Sequence, residues 1–162
     1  MQQPNLCILP FLFRWRFILA VLFALLILLS QSCSKTGSAP ATDDLIKAYF
    51  ETNVLNRDFK VFLATDSGVD ITSQYDNYVF RLMKNTYFDG PMTGTKNGVT
   101  ISGTWSSNDD FSKLVISLNQ PSAPAGFTFL NRQWRFTRKA FPLMELAPWG
   151  STDPKVLQML RL

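Results

Sequence analysis

The sequence predicts a mainly β domain, an antiparallel meander of about eight strands forming a barrel, with a short N-terminal helix. Two observations carry that prediction. From Phe59 onward, apolar and polar residues alternate with a period of two in one short run after another, as strands with one buried face require. Turn residues separate these runs at the spacing typical of sandwiches and barrels. Closing the meander on itself is the economical solution, because closure leaves no exposed strand edge.

The elements follow in order. Asp43-Asp44 opens the segment LIKAYFETNVL, in which Leu45, Ala48, Tyr49 and Thr52 share a helical face and either aspartate can cap the start. Phe59 to Thr65 reads as a strand ended by Asp66-Ser67-Gly68. Tyr78, Phe80 and Leu82 share one face of the next run. A looser strand spans Thr86 to Thr95, where Gly90-Pro91 suggests a bulge or an edge position. Asn97-Gly98 is the strongest turn signal, since both residues tolerate the positive φ of a two-residue hairpin. Val99, Ile101, Gly103 and Trp105 then line one face. SSNDD (106–110) turns the chain into the strand carrying Leu114, Ile116 and Leu118. Asn119 to Gly126 is the longest irregular connection, and Phe127 to Asn131 forms a short turn before Trp134 to Arg138. Leu143 to Ala147 and Lys155 to Leu162 complete the series, divided by Pro148-Trp149-Gly150.

The start of the chain carries an address. Arg14 and Arg16 precede an apolar run from Phe17 to Leu29, followed by Ser30-Gln31-Ser32-Cys33. At ~1.5 Å per residue the run spans about 20 Å, short of the roughly 30 Å hydrocarbon layer that a transmembrane helix must cross. A secretory signal shares the charged and apolar regions, but leaves unexplained the cysteine placed directly behind Ser32. The segment resembles a bacterial lipoprotein signal peptide, although position −3 is Ser30 where leucine is usual. That resemblance implies cleavage before Cys33 and acylation of its thiol. The domain expectation is therefore a signal peptide over 1–32, a flexible tether over 33–42 (SCSKTGSAPAT without its first serine), and a barrel over 43–162. The implied localisation is a bacterial cell envelope, with the domain lipid-anchored to the outer membrane and the periplasmic side preferred.

Composition narrows the chemistry. Both Arg14 and Arg16 lie in the signal segment, so residues 33–162 keep 14 of the 16 basic residues against all 12 acidic ones, a net charge of +2. Arg132, Arg135, Arg138 and Lys139 read as a solvated strand face, and no nucleic-acid partner is implied. The chain has no histidine, and its two cysteines are Cys7 and Cys33. Thiolate chemistry, Cys/His metal sites and imidazole relays are thus unavailable to the barrel domain. The expectation is a protein that is not an enzyme and uses no cofactor.

Three strings carry a family resemblance: DITSQYDNYVFRL, NGVTISGTWSSNDDFSKLVISL and LNRQWRF. They resemble the lipocalin-like lipoproteins of Bacteroidota, small calycin-type barrels that mostly have no assigned activity. Lipocalins carry a Gly-X-Trp motif on the first strand, whereas Gly103-Thr104-Trp105 lies mid-sheet here. The resemblance therefore implies a fold and transfers no ligand residues.

Candidate sites are few. Phe80, Trp105 and Trp134 alternate with polar neighbours and face the interior, either lining a pocket for a small apolar ligand or filling the core. An eight-stranded barrel is narrow enough for side chains to fill, and filling is the expectation. Trp149 is either an exposed contact for an envelope protein or glycan, or a plug at one barrel end. Asn108, Asp109 and Asp110 offer oxygens but lack calcium-loop spacing, as do Asp66, Asp70 and Asp76, so no metal is expected. Glu145 is a candidate buried acid, although an outward position with a cation on the next strand is the simpler reading. Ser112 and Lys113 cannot form a dyad, because strand neighbours face opposite sides. The partners implied are a membrane, through acylated Cys33, and an envelope protein or small apolar ligand. A non-catalytic interaction or structural role follows.

Overall fold

A computed structural model describes residues 39–162; the signal segment, residues 33–38 of the tether and Cys33 lie outside the described residues. Helix α1 (Ala39–Asn53) precedes nine strands. These are β1 (Asp58–Asp66), β2 (Val69–Asp70), β3 (Val79–Leu82), β4 (Asp89–Lys96), β5 (Val99–Ser107), β6 (Lys113–Gln120), β7 (Gln133–Ala140), β8 (Leu143–Pro148) and β9 (Lys155–Arg161). A 3₁₀ turn (Thr72–Tyr75) and a one-turn helix α2 (Phe127–Leu130) sit in the connections. The two-residue β2 is an appendage of β1. The other eight strands pair antiparallel in sequence order, and β1 pairs with β9 from Phe59↔Arg161 to Asp66↔Lys155. The barrel is closed.

Side-chain parity explains the interior. Phe80 and Leu82 of β3, Ile101 and Trp105 of β5, and Leu114, Ile116 and Leu118 of β6 all point inward and are buried. In β1 the parity switches, since Phe59, Val61 and Ala64 are buried. The β1–β9 register shifts between Val61 and Leu63, leaving Phe62 as the extra residue, exposed on the outside. Similar shifts occur in the β5–β6 and β7–β8 pairings. Such bulges supply the bending that a small closed sheet needs.

Three expectations need correction. The helix begins at Ala39, inside the stretch read as a tether, so Asp43 and Asp44 are helix-interior residues and cap nothing. Its core-facing side is the partly buried Ile46 and the buried Phe50, continued by Val54 just past its end, while Leu45 is exposed and Tyr49 lies at the rim with its ring against Phe141. The hydrophobic content of LIKAYFETNVL is similar on both faces, and only docking on the barrel end chooses between them. Gly90-Pro91 is neither edge nor interruption: β4 runs unbroken between β3 and β5, with Gly90↔Trp105 and Pro91↔Thr104 in register. Proline fits because its missing N–H is not needed there, and its carbonyl accepts the Met83 N–H at 2.8 Å.

The Asn97-Gly98 hairpin forms as expected, with φ of 50° and 79° and Lys96 paired to Val99. A side chain at Gly98 would meet no atom within 4 Å, so the cost of adding one is backbone strain alone. Gly98→Val should lower stability by about 1–3 kcal/mol, read as a shifted denaturant midpoint. An unchanged midpoint would mean the turn relaxes to another type without loss.

Candidate functional site

The interior is full. Trp105, Trp134 and Phe80 are 1%, 0% and 0% exposed, and no polar residue among the described ones is buried. Packing follows a large-against-small rule across β4, whose inward residues are Gly90, Met92 and Gly94. Trp105 lies opposite Gly90 and Phe80 opposite Gly94. A Cβ on Gly90 would sit 1.9 Å from the Met83 carbonyl oxygen, the same oxygen that accepts the Trp105 indole N–H at 2.7 Å. A Cβ on Gly94 would lie 2.8 Å from the Phe80 ring.

Both ends are stoppered with aromatics. At one end Phe50 of α1 packs on Phe111 at 4.5 Å between ring centroids, and on Trp105 at 5.9 Å. Tyr49 Oη donates to the Lys139 carbonyl, and Glu51 pairs with Lys84, fastening α1 to the end of β7 and to the β3–β4 connection. At the other end Phe127 of α2 meets Tyr75, Tyr78 and Phe80. Tyr75 Oη donates to the Gly126 carbonyl at 2.7 Å, and Trp134 Nε1 donates to the Leu130 carbonyl at 3.0 Å. The Phe80, Trp105 and Trp134 trio is thus core fill, and the structure does not gather it around a space.

The clefts lie on the outside. One, of about 570 Å³, opens where β1 and β3 separate after only two paired positions, and is lined by Lys60, Phe62, Tyr75, Tyr78, Val79 and Leu162 among others. Another, of about 530 Å³, is shallow and lined by Arg135, Gly150, Ser151 and Thr152. Trp149 directly precedes those loop residues and is 39% exposed. It is no plug. Its backbone N–H donates to the Gln133 carbonyl at 2.9 Å, and Lys113 Nζ stands 5.3 Å from its ring centroid. Register places Lys113 directly across from Arg135 on the outer face. Sequence reasoning missed that pairing, because alternation shows which way each residue faces but not which residue it meets. It also missed Phe111, a buried stopper at a positive φ of 52° within the SSNDD–FS turn.

The remaining candidates disperse. Arg132 leaves the basic patch: its guanidinium donates to the Phe129 carbonyl and lies over Trp134, clamping α2. Glu145 faces outward, accepting from Thr137 Oγ1 at 3.1 Å and Gln158 Nε2 at 2.7 Å, so its partners are neutral residues on both neighbouring strands instead of a cation. Asn108 and Asp110 fold their own turn, with Asn108 Oδ1 accepting from Lys113 N and Asp110 Oδ1 from Ser112 N. Asp66 pairs with Lys155, whose ammonium holds the carboxyl below its ordinary range. Among the described residues no three His, Cys, Asp or Glu side chains are grouped for a metal.

Neither a protein-family model nor a curated protein matches the chain. Among solved structures it is similar to a DUF4847 family protein from Bacteroides vulgatus ATCC 8482, with 14% identity, a TM-score of 0.49, and coverage of 68% of this chain and 95% of that one. A similarity that distant transfers no residue role.

Two outcomes follow from the stoppered core. Trp105→Ala removes the indole and orphans its hydrogen bond, and should cost about 3–5 kcal/mol in denaturant unfolding. Burial pushes the Tyr75 phenol up from 10.0 to about 12. Because the fold favours the neutral phenol, the stability it contributes is complete below about pH 10 and is lost as pH rises toward 12. An absorbance titration should show one late-ionising tyrosine that disappears in Tyr75→Phe. If all tyrosines titrate together near their ordinary value, the α2 end is open to water.

Proposed function

We propose that this protein is a lipid-anchored envelope lipoprotein of lipocalin-like kind, a non-catalytic module that meets its partners through the outer surface of its barrel. The single observation that supports surface action is the filled interior, which leaves no volume for an apolar guest among Trp105, Trp134 and Phe80. Ligands of an open barrel need a cavity of roughly 300 Å³ or more; the clefts of about 570, 440 and 530 Å³ all open to solvent, and the second reaches Trp105 from the outside, past Asn85, Asp89 and Thr104. The anchor is supported by the sequence: Arg14, Arg16, the apolar run and Cys33 in its place behind Ser32. Acylated Cys33 holds the chain to the outer membrane, with the domain on the periplasmic side. The non-catalytic role rests on the absence of histidine from the whole chain and of cysteine from residues 39–162.

The anchor is tested by Cys33→Ser in a bacterial host fed labelled palmitate. The parent chain should take up label and fractionate with membranes, and the variant should remain an unlabelled precursor. Normal cleavage and identical fractionation of the variant would remove the lipoprotein reading.

A further inference from the structure

We infer that the outer face formed by β6, β7 and the β8–β9 connection is a binding site for an acidic saccharide, its carboxylate held between Lys113 and Arg135 and a sugar ring laid on Trp149. The inference rests on the proposal that the outer surface is the working part of the domain. Like charges directly opposite on neighbouring strands destabilise a sheet. Lys113 and Arg135 occupy such a position in the β6–β7 ladder. Among the described residues neither has a carboxylate within 4.0 Å. Lys113 Nζ has only the Gln133 side-chain oxygen at 3.5 Å and the Trp149 ring. Asp153, the acid of this connection, pairs with neither cation; its main-chain N–H donates to Ser151 Oγ at 3.0 Å. An arrangement that costs the fold something and answers no internal charge fits an anion from outside.

The rest of the face selects the kind of anion. A bare sulfate or phosphate would leave most of a 530 Å³ cleft empty. Trp149 offers a large, partly exposed apolar face with its backbone pinned to Gln133. Sugar rings present an apolar C–H face that suits such an indole. The Ser151 and Thr152 hydroxyls line the cleft beside Arg135, two and three residues after Trp149 in the chain, and match sugar hydroxyls. The Arg135 guanidinium can take a carboxylate in two parallel hydrogen bonds. Together these features specify a uronate-type sugar: planar anion at one end, C–H face in the middle, hydroxyls at the other.

The test is calorimetric titration of the full chain in neutral detergent with a galacturonate trimer, the neutral galactose trimer and inorganic sulfate. Saturable binding of the acidic trimer is expected, with the neutral trimer and sulfate about tenfold weaker or worse, the scale of one lost charge-assisted contact. Arg135→Gln and Trp149→Ala should each lose about the same factor. Arg135→Gln should also raise the melting midpoint at low salt, because it relieves the opposed charges; a merely structural arginine would lower it. Cys33→Ser should bind the trimer like the parent, so a failed anchor is read separately from a failed site. No saturable binding, equal binding of the neutral trimer, or equal binding of sulfate overturns the proposal. Parental affinity in both Arg135→Gln and Trp149→Ala also overturns this site, and leaves the surface reading of the domain in place.

Discussion

Two indole hydrogen bonds organise the rest of this molecule. Trp105 and Trp134 are the largest side chains in the barrel, and each carries an N–H that burial would orphan without a partner. Trp105 finds the Met83 carbonyl and Trp134 the Leu130 carbonyl. Each bond reaches out of the strand layer into a connection, Trp105 into the one between β3 and β4, Trp134 into α2. Core filling and end closure are therefore one arrangement: the rings that fill the interior also fix the segments that cover it. Gly90 belongs to the same constraint, because the carbonyl that receives the Trp105 N–H lies where its side chain would be.

The covering of the α2 end solves a problem that the barrel creates for itself. β6 and β7 pair at only three positions, because α2 interrupts the approach of the two strands. The backbone of β6 beyond that point would face an empty ladder. Asn131 fills it: its side-chain oxygen accepts from Leu118 N at 2.7 Å and its amide donates to Leu118 O at 2.8 Å. One amide side chain reproduces both hydrogen bonds of a strand neighbour. Arg132 then closes over Trp134 and holds the α2 carbonyls. The string Leu130-Asn131-Arg132-Gln133-Trp134 is thus a structural unit in which the asparagine continues the sheet, the arginine caps the turn and the tryptophan fills the core.

Strands were legible in the sequence because their alternation encodes facing. Phe80 and Leu82, Ile101 and Trp105, and Leu114, Ile116 and Leu118 are all buried as their period demanded. Asn97-Gly98 was legible because its backbone conformation is a property of two residues. The helix face was not, since Leu45 and Tyr49 are as apolar as Ile46 and Phe50, and the choice is made by Trp105, Phe111 and Phe136 at the barrel end. Gly90-Pro91 misled because local rules penalise both residues in a central strand, whereas here the lack of a side chain and the lack of an N–H are both used. The outer site was invisible for a different reason. Lys113 and Arg135 are separated by a long connection, and only the register of β6 against β7 brings them together.

The treatment of cations across the surface separates the work of folding from what is left over. Arg81 grips Asp58 through two hydrogen bonds of 2.7 Å, at the short junction of β1 with β3. Lys155 meets Asp66 at the far end of the closing β1–β9 pair, and Lys84 meets Glu51 where α1 docks. Exposed ion pairs contribute little individually, but these three stand at the places where the barrel must be shut. Lys113 and Arg135 stand on a ladder of three paired positions and face each other without an acid. Charges that serve closure are answered within the chain, and the pair beside Trp149 is not. Among the described residues Lys60, Lys96 and Arg138 also have no carboxylate within 4.0 Å, but Lys113 and Arg135 are the cations that stand directly opposite each other across a ladder, and it is this opposition on which the proposed site rests.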